Sequence, residues 1–418
     1  MAIVRFVQYM LMGGLVSFYF FPIGFTFLPS SLNTKVILAG LGIIALGFDC
    51  IQRRAVRVPR ALLGAIGLVV LFSLVCFIAV DVNETNDYSY ASYYSSFAVW
   101  LLAAYGVYAC LRMQHGRVDI PLLTFYLAGV CFGQCVAALL IDNIPSVQIA
   151  VDSYVSQGQE FFEEVDRLYG IGAALDTAGV RFSIVLIMIA GVLSRDPQTR
   201  RTPWTIALLL VAFFTIALVG NMIARTTMAG VGFATLYFVA ASGLFRIIVK
   251  YESIKLGIWF GGLLLLAIFI ATYLYQTDEA FHDHLRFAFE GFFNWVEKGE
   301  WRTDSTDKLN REMWVWPTDA KTWLIGSGLF DNWVYSTDIG YCRFILYCGI
   351  LGFSVFALFF VYNAVLFAKL YPRYWGIFAL LLLLSFVIWL KVATDIFVIY
   401  ALLYAMGTNR NLTPATTV

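Results

Sequence analysis

The chain has 418 residues, 61% of them hydrophobic and 13% charged, with a net charge of +1. Soluble domains carry about 25% charged residues, so this composition excludes an ordinary soluble globule and indicates an all-α polytopic membrane protein. The net charge identifies no partner, because the charge is segregated by side, and nucleic acid is not among the expected ligands.

A membrane span needs roughly 20 apolar residues. Arg5 precedes a long apolar run with no small-residue cleavage site after it, which reads as a first span and not as a signal peptide. In chain order, spans are expected near 5–27, 35–51, 61–80, 93–111, 120–141, 180–194, 204–222, 227–245, 256–275, 340–368, 375–390 and 395–407, about twelve in all. The sixth and the last two are short, so one of them could be re-entrant or broken, with its irregular backbone inside protein or a wet cavity. The basic residues Arg53, Arg54, Arg57, Arg60, Arg112, Arg117, Arg195, Arg200, Arg201, Arg246, Lys250, Lys255, Lys369 and Arg373 fall in alternate hinges. Those hinges are expected on the cytoplasmic side together with both termini. The opposite side receives 81–92, 142–179, 276–340 and 391–395, and with them about 23 of the 27 acidic residues. The chain thus falls into spans 1–275, a large outer loop 276–340 and a last group of spans with a polar tail, 341–418. In a bacterium, that outer side is the periplasmic face of the inner membrane. The seven cysteines lie in or beside apolar runs, form no disulfide or zinc-ligand pattern, and read as small core residues.

The loop 276–340 gathers His282, His284, much of the charge, and Trp295, Trp301, Trp314, Trp316, Trp323 and Trp333. Such density suits a polar ligand with flat faces, such as a sugar; equally, it suits a cap whose tryptophans rest at the bilayer interface. Within it, Phe281, Leu285, Phe289, Phe292 and Val296 recur at helical spacing, with His282, Arg286, Glu290, Asn294 and Glu297 on another face. Residues 281–297 are therefore an amphipathic helix, either a surface helix or a lid. Arg181 is expected to open the sixth span after the glycine-rich turn 169–179, which also holds Asp176. Arg225 lies between the seventh and eighth spans, Arg311 in the loop, and Arg343 about one turn into the tenth span. Outer arginines run against the positive-inside tendency; single ones can snorkel at helix ends, whereas several together suit phosphate, which the planar guanidinium grips through two parallel hydrogen bonds. Asp338, at the mouth of the tenth span, is either a helix N-cap or a general base for a sugar hydroxyl. Lys391 and Asp395, four apart, read as a structural ion pair. No Ser/His/Asp set, phosphate-cradling glycine loop or metal-ligand cage is present, so neither metal nor cofactor is expected.

Over residues 165–407 the pattern resembles the bacterial O-antigen polymerase and O-antigen ligase superfamily. Gly170-Ile-Gly and Asp176-Thr-Ala-Gly-Val-Arg181 look like that family's glycine-rich turn ending in arginine, and Arg225-Thr like its Ser-Arg position, with alanine in place of serine. Arg311 to Trp314 followed by Gly326-Ser-Gly328 looks like the close of its large loop. Asp338 followed by Gly349 stands where the ligases carry histidine and glycine. The resemblance implies a GT-C-like membrane glycosyltransferase. It would extend an undecaprenyl-pyrophosphate-linked glycan by transfer to an incoming lipid-linked repeat unit at the periplasmic face, without metal and with inversion. It further implies Arg181, Arg225, Arg311 and Arg343 for pyrophosphate, Asp176, Trp314 and Trp323 for sugar, and Asp338, His282 or His284 as base. A protein that sets chain length is an expected partner. The missing histidine at 338 favours polymerase over ligase; a ligase acting on lipid A core, a flippase of lipid-linked sugars and a structural assembly partner are the alternatives.

Overall fold

The computed structural model describes residues 2–54, 59–157, 167–242, 251–331 and 334–407. Arg57, Arg246, Lys250, Trp333 and the tail from 408 lie outside the described residues, as do the side chains of Arg5 and Arg53. In chain order the helices are α1 (Ala2–Phe20), α2 (Thr34–Arg53), α3 (Arg60–Val82), α4 (Tyr93–His115), α5 (Ile120–Asn143), α6 (Pro145–Tyr154), α7 (Leu175–Arg195), α8 (Pro197–Arg201), α9 (Pro203–Ile223), α10 (Thr227–Ser242), α11 (Tyr251–Thr277), α12 (Glu279–Ala288), α13 (Glu290–Lys298), α14 (Asp304–Glu312), α15 (Ala320–Ile325), α16 (Gly340–Leu370), α17 (Trp375–Ile388) and α18 (Phe397–Gly407). Two residue pairs, Gly24–Phe25 and Val155–Ser156, form a minimal antiparallel ladder. The chain is an all-α membrane protein. Among the described residues eight helices are long and apolar enough to cross a bilayer, and four more are apolar but shorter. Those four correspond to the expected spans near 5–27, 227–245, 375–390 and 395–407.

By its contacts the chain divides into two compact units, residues 1–37 with 110–302 and residues 38–109 with 303–418. The first is built around α7. That helix is apolar on all sides and 15 of its residues, from Ala178 to Leu193, are buried, the pattern of a helix surrounded by others. It packs against α10 through small residues. A Cβ on Gly230 would come within 2.3 Å of Ser183 Cα, and Ser183 Oγ accepts from the Gly230 N–H at 3.1 Å while donating to the Thr226 carbonyl at 3.1 Å. Close backbones joined by serine hydrogen bonds are how helices associate where burial from water supplies no driving force. The sixth expected span is thus not short. It begins at Leu175, so Asp176 lies in its first turn and Arg181 lies inside the helix and does not open it.

The second unit has an aromatic core. Phe72, Phe344, Phe356, Phe360 and Trp389 are 1% exposed or less, and Phe356 stacks on Phe72 at 4.7 Å and on Trp389 at 5.6 Å. Trp389 is kept satisfied by its Nε1–H donating to the Thr394 carbonyl at 2.8 Å. The helix α16 is broken at Gly349, whose φ of 65° and ψ of −179° are non-helical. The break turns two carbonyls outward, and the chain Gly326-Ser327-Gly328 supplies their donors: Ser327 N–H to Leu346 at 2.7 Å and Gly328 N–H to Tyr347 at 2.9 Å. A Cβ at Gly349 would sit 2.2 Å from the Leu324 carbonyl oxygen, and one at Gly326 2.2 Å from that of Tyr347. The two glycines let the strand-like segment lie against the broken helix, which satisfies backbone groups that the bilayer interior cannot. The last two helices have 14 and 11 residues, too few to cross about 30 Å at 1.5 Å per residue. The segment between them is non-helical and ends on fully buried Trp389 and Ile396, in accord with the expectation of an interrupted span.

Candidate functional site: a guanidinium cluster with a histidine–aspartate pair

The first unit gathers charged side chains where α5, α9 and α10 end or begin. The link between α9 and α10 is short. Ala224 is extended at its C-cap position, and Thr227 Oγ1 returns a hydrogen bond to the Gly220 carbonyl at 2.9 Å. This corner presents Arg225, whose guanidinium pairs with the Glu290 carboxylate. The two side chains are only 17% and 21% exposed. The Arg225 guanidinium carbon lies 4.2 Å from the centre of the Phe287 ring, and that of Arg167 lies 5.1 Å from the same centre. One aromatic ring thus carries two guanidiniums. Burial and then the nearby Arg225 charge push the Arg167 guanidinium pKa down, against a smaller opposing effect of Asp176. Asp176 accepts a hydrogen bond from Thr226 Oγ1 in the same corner. Arg181, five residues further along α7, lies over Phe21 at 5.5 Å.

The turn that brings Arg167 and Asp176 here is pinned by glutamines. Gln134 Oε1 accepts from Ile171 N–H at 2.8 Å and Gln157 Oε1 from Gly172 N–H at 2.7 Å, while Gly170 N–H donates to Ala173 at 2.8 Å. Fixed glutamine acceptors therefore hold the expected glycine-rich turn, which ends at Ala174 and does not reach 179.

The expected amphipathic helix 281–297 is two helices, α12 and α13, joined at Phe289, whose φ of −116° and ψ of 28° interrupt the helix. Arg286 grips Glu297 through two hydrogen bonds of 2.8 and 2.9 Å, tying α12 to α13. This pairing is what holds Arg286 charged and pulls the Glu297 carboxyl below its usual range. Asn221, fully buried in α9, donates to the Ala288 carbonyl at 2.8 Å and fastens the hairpin to the bundle. The apolar face of the hairpin, Leu285, Phe289, Phe292 and Phe293, borders a cavity of about 560 Å³ whose other walls are α9, α10 and α11.

The two loop histidines face different ways. His282 Nδ1 is 2.9 Å from Asp283 Oδ1 of its own helix, and its ring lies 4.3 Å from that of Tyr275. His284 Nε2 lies 3.4 Å from Asp142 Oδ1, at the end of α5, with side chains 13% and 30% exposed. His284 precedes Phe287 by three residues, so on one helix face their Cβ atoms are about 5–6 Å apart.

The remaining expected residues belong to the second unit. Arg311 is exposed on α14, with its Nε near the Asp307 carbonyl at 3.5 Å. Arg343 donates to the Phe330 carbonyl at 2.8 Å and lies 3.9 Å over the Phe330 ring. Asp338 is half-buried and is not the N-cap of α16: that position falls to Ile339, which makes no side-chain cap. Trp316 stacks on Trp323 at 5.8 Å and lies 5.7 Å from Trp314, each of the three being 40% exposed. Asp87 ties the segment after Gly328 to the loop before α4, accepting from the N–H groups of Phe330 at 2.5 Å and Asp331 at 2.6 Å. Burial pushes the Asp87 carboxyl up, but these bonds and those from Ser89 together bring it below its usual range. Asp395 accepts from Tyr93 Oη at 3.1 Å and caps α18 through Phe397 N–H at 2.8 Å. All seven cysteines are free, and Cys76, Cys131, Cys135, Cys342 and Cys348 are buried.

Compared with models of known families, with curated proteins and with solved structures, the chain matches none. Arg167 and Asp142, which the structure brings into the cluster, were not singled out in the sequence. Arg167 follows an acidic stretch and meets Phe287 across 120 positions, and Asp142 reads as an ordinary polar helix end.

Proposed function

We propose that the chain is a membrane glycosyltransferase that polymerises lipid-linked oligosaccharide repeat units, with about twelve spans in a bacterial inner membrane, both termini cytoplasmic and the site facing the periplasm. The observation that carries the reading is the pair of half-buried guanidiniums, Arg167 and Arg225, on the single ring of Phe287. Two cations on one ring repel one another, an effect that adds to burial in lowering the Arg167 pKa, and a bound anion would relieve that repulsion. In the resting state Glu290 and Asp176 balance them; a pyrophosphate diester, carrying two charges, takes the place of Glu290.

The reaction follows from that placement. The bond between the anomeric carbon and the pyrophosphate oxygen breaks, and its electron pair leaves with the lipid pyrophosphate. The acceptor hydroxyl oxygen attacks from the opposite face, which inverts the configuration, and its proton passes to a base. Charge grows on the leaving oxygen as the bond lengthens, so preorganised guanidiniums favour the transition state over the ground state. Arg181 stands on the same helix as Asp176 as a third cation of this unit. Asp176 is its sugar contact within this unit, and the stacked Trp314–Trp316–Trp323 row of the second unit offers flat faces of the kind that bind sugar. The substrates are an undecaprenyl-pyrophosphate-linked chain and a lipid-linked unit, and a partner protein sets the length.

The test is Arg225→Ala and Arg225→Lys in a strain whose surface glycan depends on this chain. Both should abolish chain growth while the protein reaches the membrane in normal amount, because lysine cannot make the paired contact. Full chain growth in a well-expressed Arg225→Ala strain would remove the pyrophosphate assignment.

A further inference from the structure

We propose that His284 is the base that takes the acceptor proton and that Asp142 is its positioning residue. The inference deepens the transferase reading and rests on it. Three candidates for the base were open from the sequence, and the geometry separates two of them. His282 and His284 are two residues apart on α12, roughly 200° around the helix, so they face opposite ways. His282 is engaged with its neighbour Asp283 and the Tyr275 ring. His284 is paired across elements with Asp142 and shares a helix face with Phe287, the ring that carries Arg167 and Arg225. A base, a carboxylate beside it and a phosphate-type cation site then adjoin within one unit.

The atoms assign the roles. Asp142 Oδ1 lies at 3.4 Å from Nε2, within ion-pair reach of the imidazolium that a base becomes. In the transfer, the acceptor O–H proton moves to the His284 imidazole and the acceptor oxygen bonds to the anomeric carbon. The bond to pyrophosphate breaks with its electron pair on the leaving oxygen. Asp142 stabilises the imidazolium so formed, which returns its proton to solvent. Among the described residues, Asp142 from α5 faces the ring, and Arg167, Arg225 and Glu290 lie beyond Phe287.

The experiment uses the full-length protein in nanodiscs with a lipid-linked repeat unit as both donor and acceptor, comparing His284→Gln, Asp142→Asn and Asp338→Asn. His284→Gln should lower kcat by about 100-fold or more while leaving the affinity for inorganic pyrophosphate unchanged, which also shows that it folds. Asp142→Asn removes the charge that favours imidazolium, so the acidic limb of the pH–rate profile should move to lower pH by about one unit. A carboxylate that merely clasps α5 to α12 would lower thermal stability and leave that limb in place. In parallel, ¹⁵N-histidine resonances titrated on the unliganded protein should show the His284 pKa falling in Asp142→Asn. An unmoved His284 titration, or a His284→Gln variant within threefold of the parent rate, overturns the proposal; Asp338→Asn alone abolishing turnover would transfer the base role there. If the parent makes no polymer, the transferase reading falls and takes the base role with it, while the titration still decides the pairing.

Discussion

Replacing Glu290 by glutamine probes the resting state of the cluster most closely. Glu290 is the carboxylate on Arg225, and both side chains are about four-fifths buried. A phosphate arriving at Arg225 would approach that carboxylate to about 5 Å, where two unit charges at an effective dielectric of about 20 repel by about 3 kcal/mol. Part of this repulsion is relieved when the Glu290 side chain turns to another rotamer. Glu290→Gln should therefore bind inorganic pyrophosphate about tenfold more tightly, equivalent to about 1.4 kcal/mol. Arg225→Ala should abolish binding and destabilise the protein by about 2 kcal/mol. That value lies between the cost of breaking an exposed pair and that of leaving a buried charge unpartnered, and adding Glu290→Gln should recover part of it. Titration calorimetry on the parent, both single variants and the double variant, with thermal unfolding alongside, completes the cycle. Unchanged or weaker pyrophosphate binding in Glu290→Gln would refute the view that Glu290 occupies the anion site.

Gly349→Ala places a methyl group 2.2 Å from the Leu324 carbonyl oxygen at a φ of 65°, so it should cost about 2–4 kcal/mol and lower the unfolding midpoint; an unchanged midpoint would mean the broken α16 is not required. Trp316→Ala should weaken binding of oligosaccharide fragments about threefold to tenfold, the range of one aromatic face, without changing the unfolding midpoint, as measured by fluorescence titration. The folded-state pKa of Asp87 is depressed, so its stabilisation is fully present above the unfolded carboxyl pKa of about 4 and is lost as pH falls through the lower folded value. Asp87→Asn should therefore narrow the difference in unfolding midpoint between neutral pH and acid, measured by differential scanning calorimetry.

Much of the architecture was legible because hydropathy and helical period are local. The runs behind α3, α5, α7, α9 and α16 announce themselves, and the spacing of Leu285, Phe289 and Phe292 marks the face that borders the cavity. What was not legible depends on contacts distant in sequence. The start of α7 at Leu175 was hidden because Gly170, Gly172 and Gly179 read as one turn, while Gly179 in fact packs in the helix against Ala224 and Thr226. The break at Gly349 sits in an unbroken apolar run, and it is recognisable only from the Gly326-Ser327-Gly328 segment that satisfies it. Arg225 could be suspected from its place between two spans. Its partners Glu290 and Arg167 could not, since a shared aromatic ring at Phe287 has no signature in sequence.

Chain growth from lipid-linked units is tested by a gel of surface glycan from a strain lacking this protein. Single repeat units should remain on their anchor and the ladder of longer chains should disappear; the parent gene should restore the ladder and Arg225→Ala should not. An unchanged ladder in a strain without a paralogue would contradict chain growth by this protein. So would long lipid-linked chains accumulating unattached, the mark of a ligase, or repeat units trapped on the cytoplasmic leaflet, the mark of a flippase.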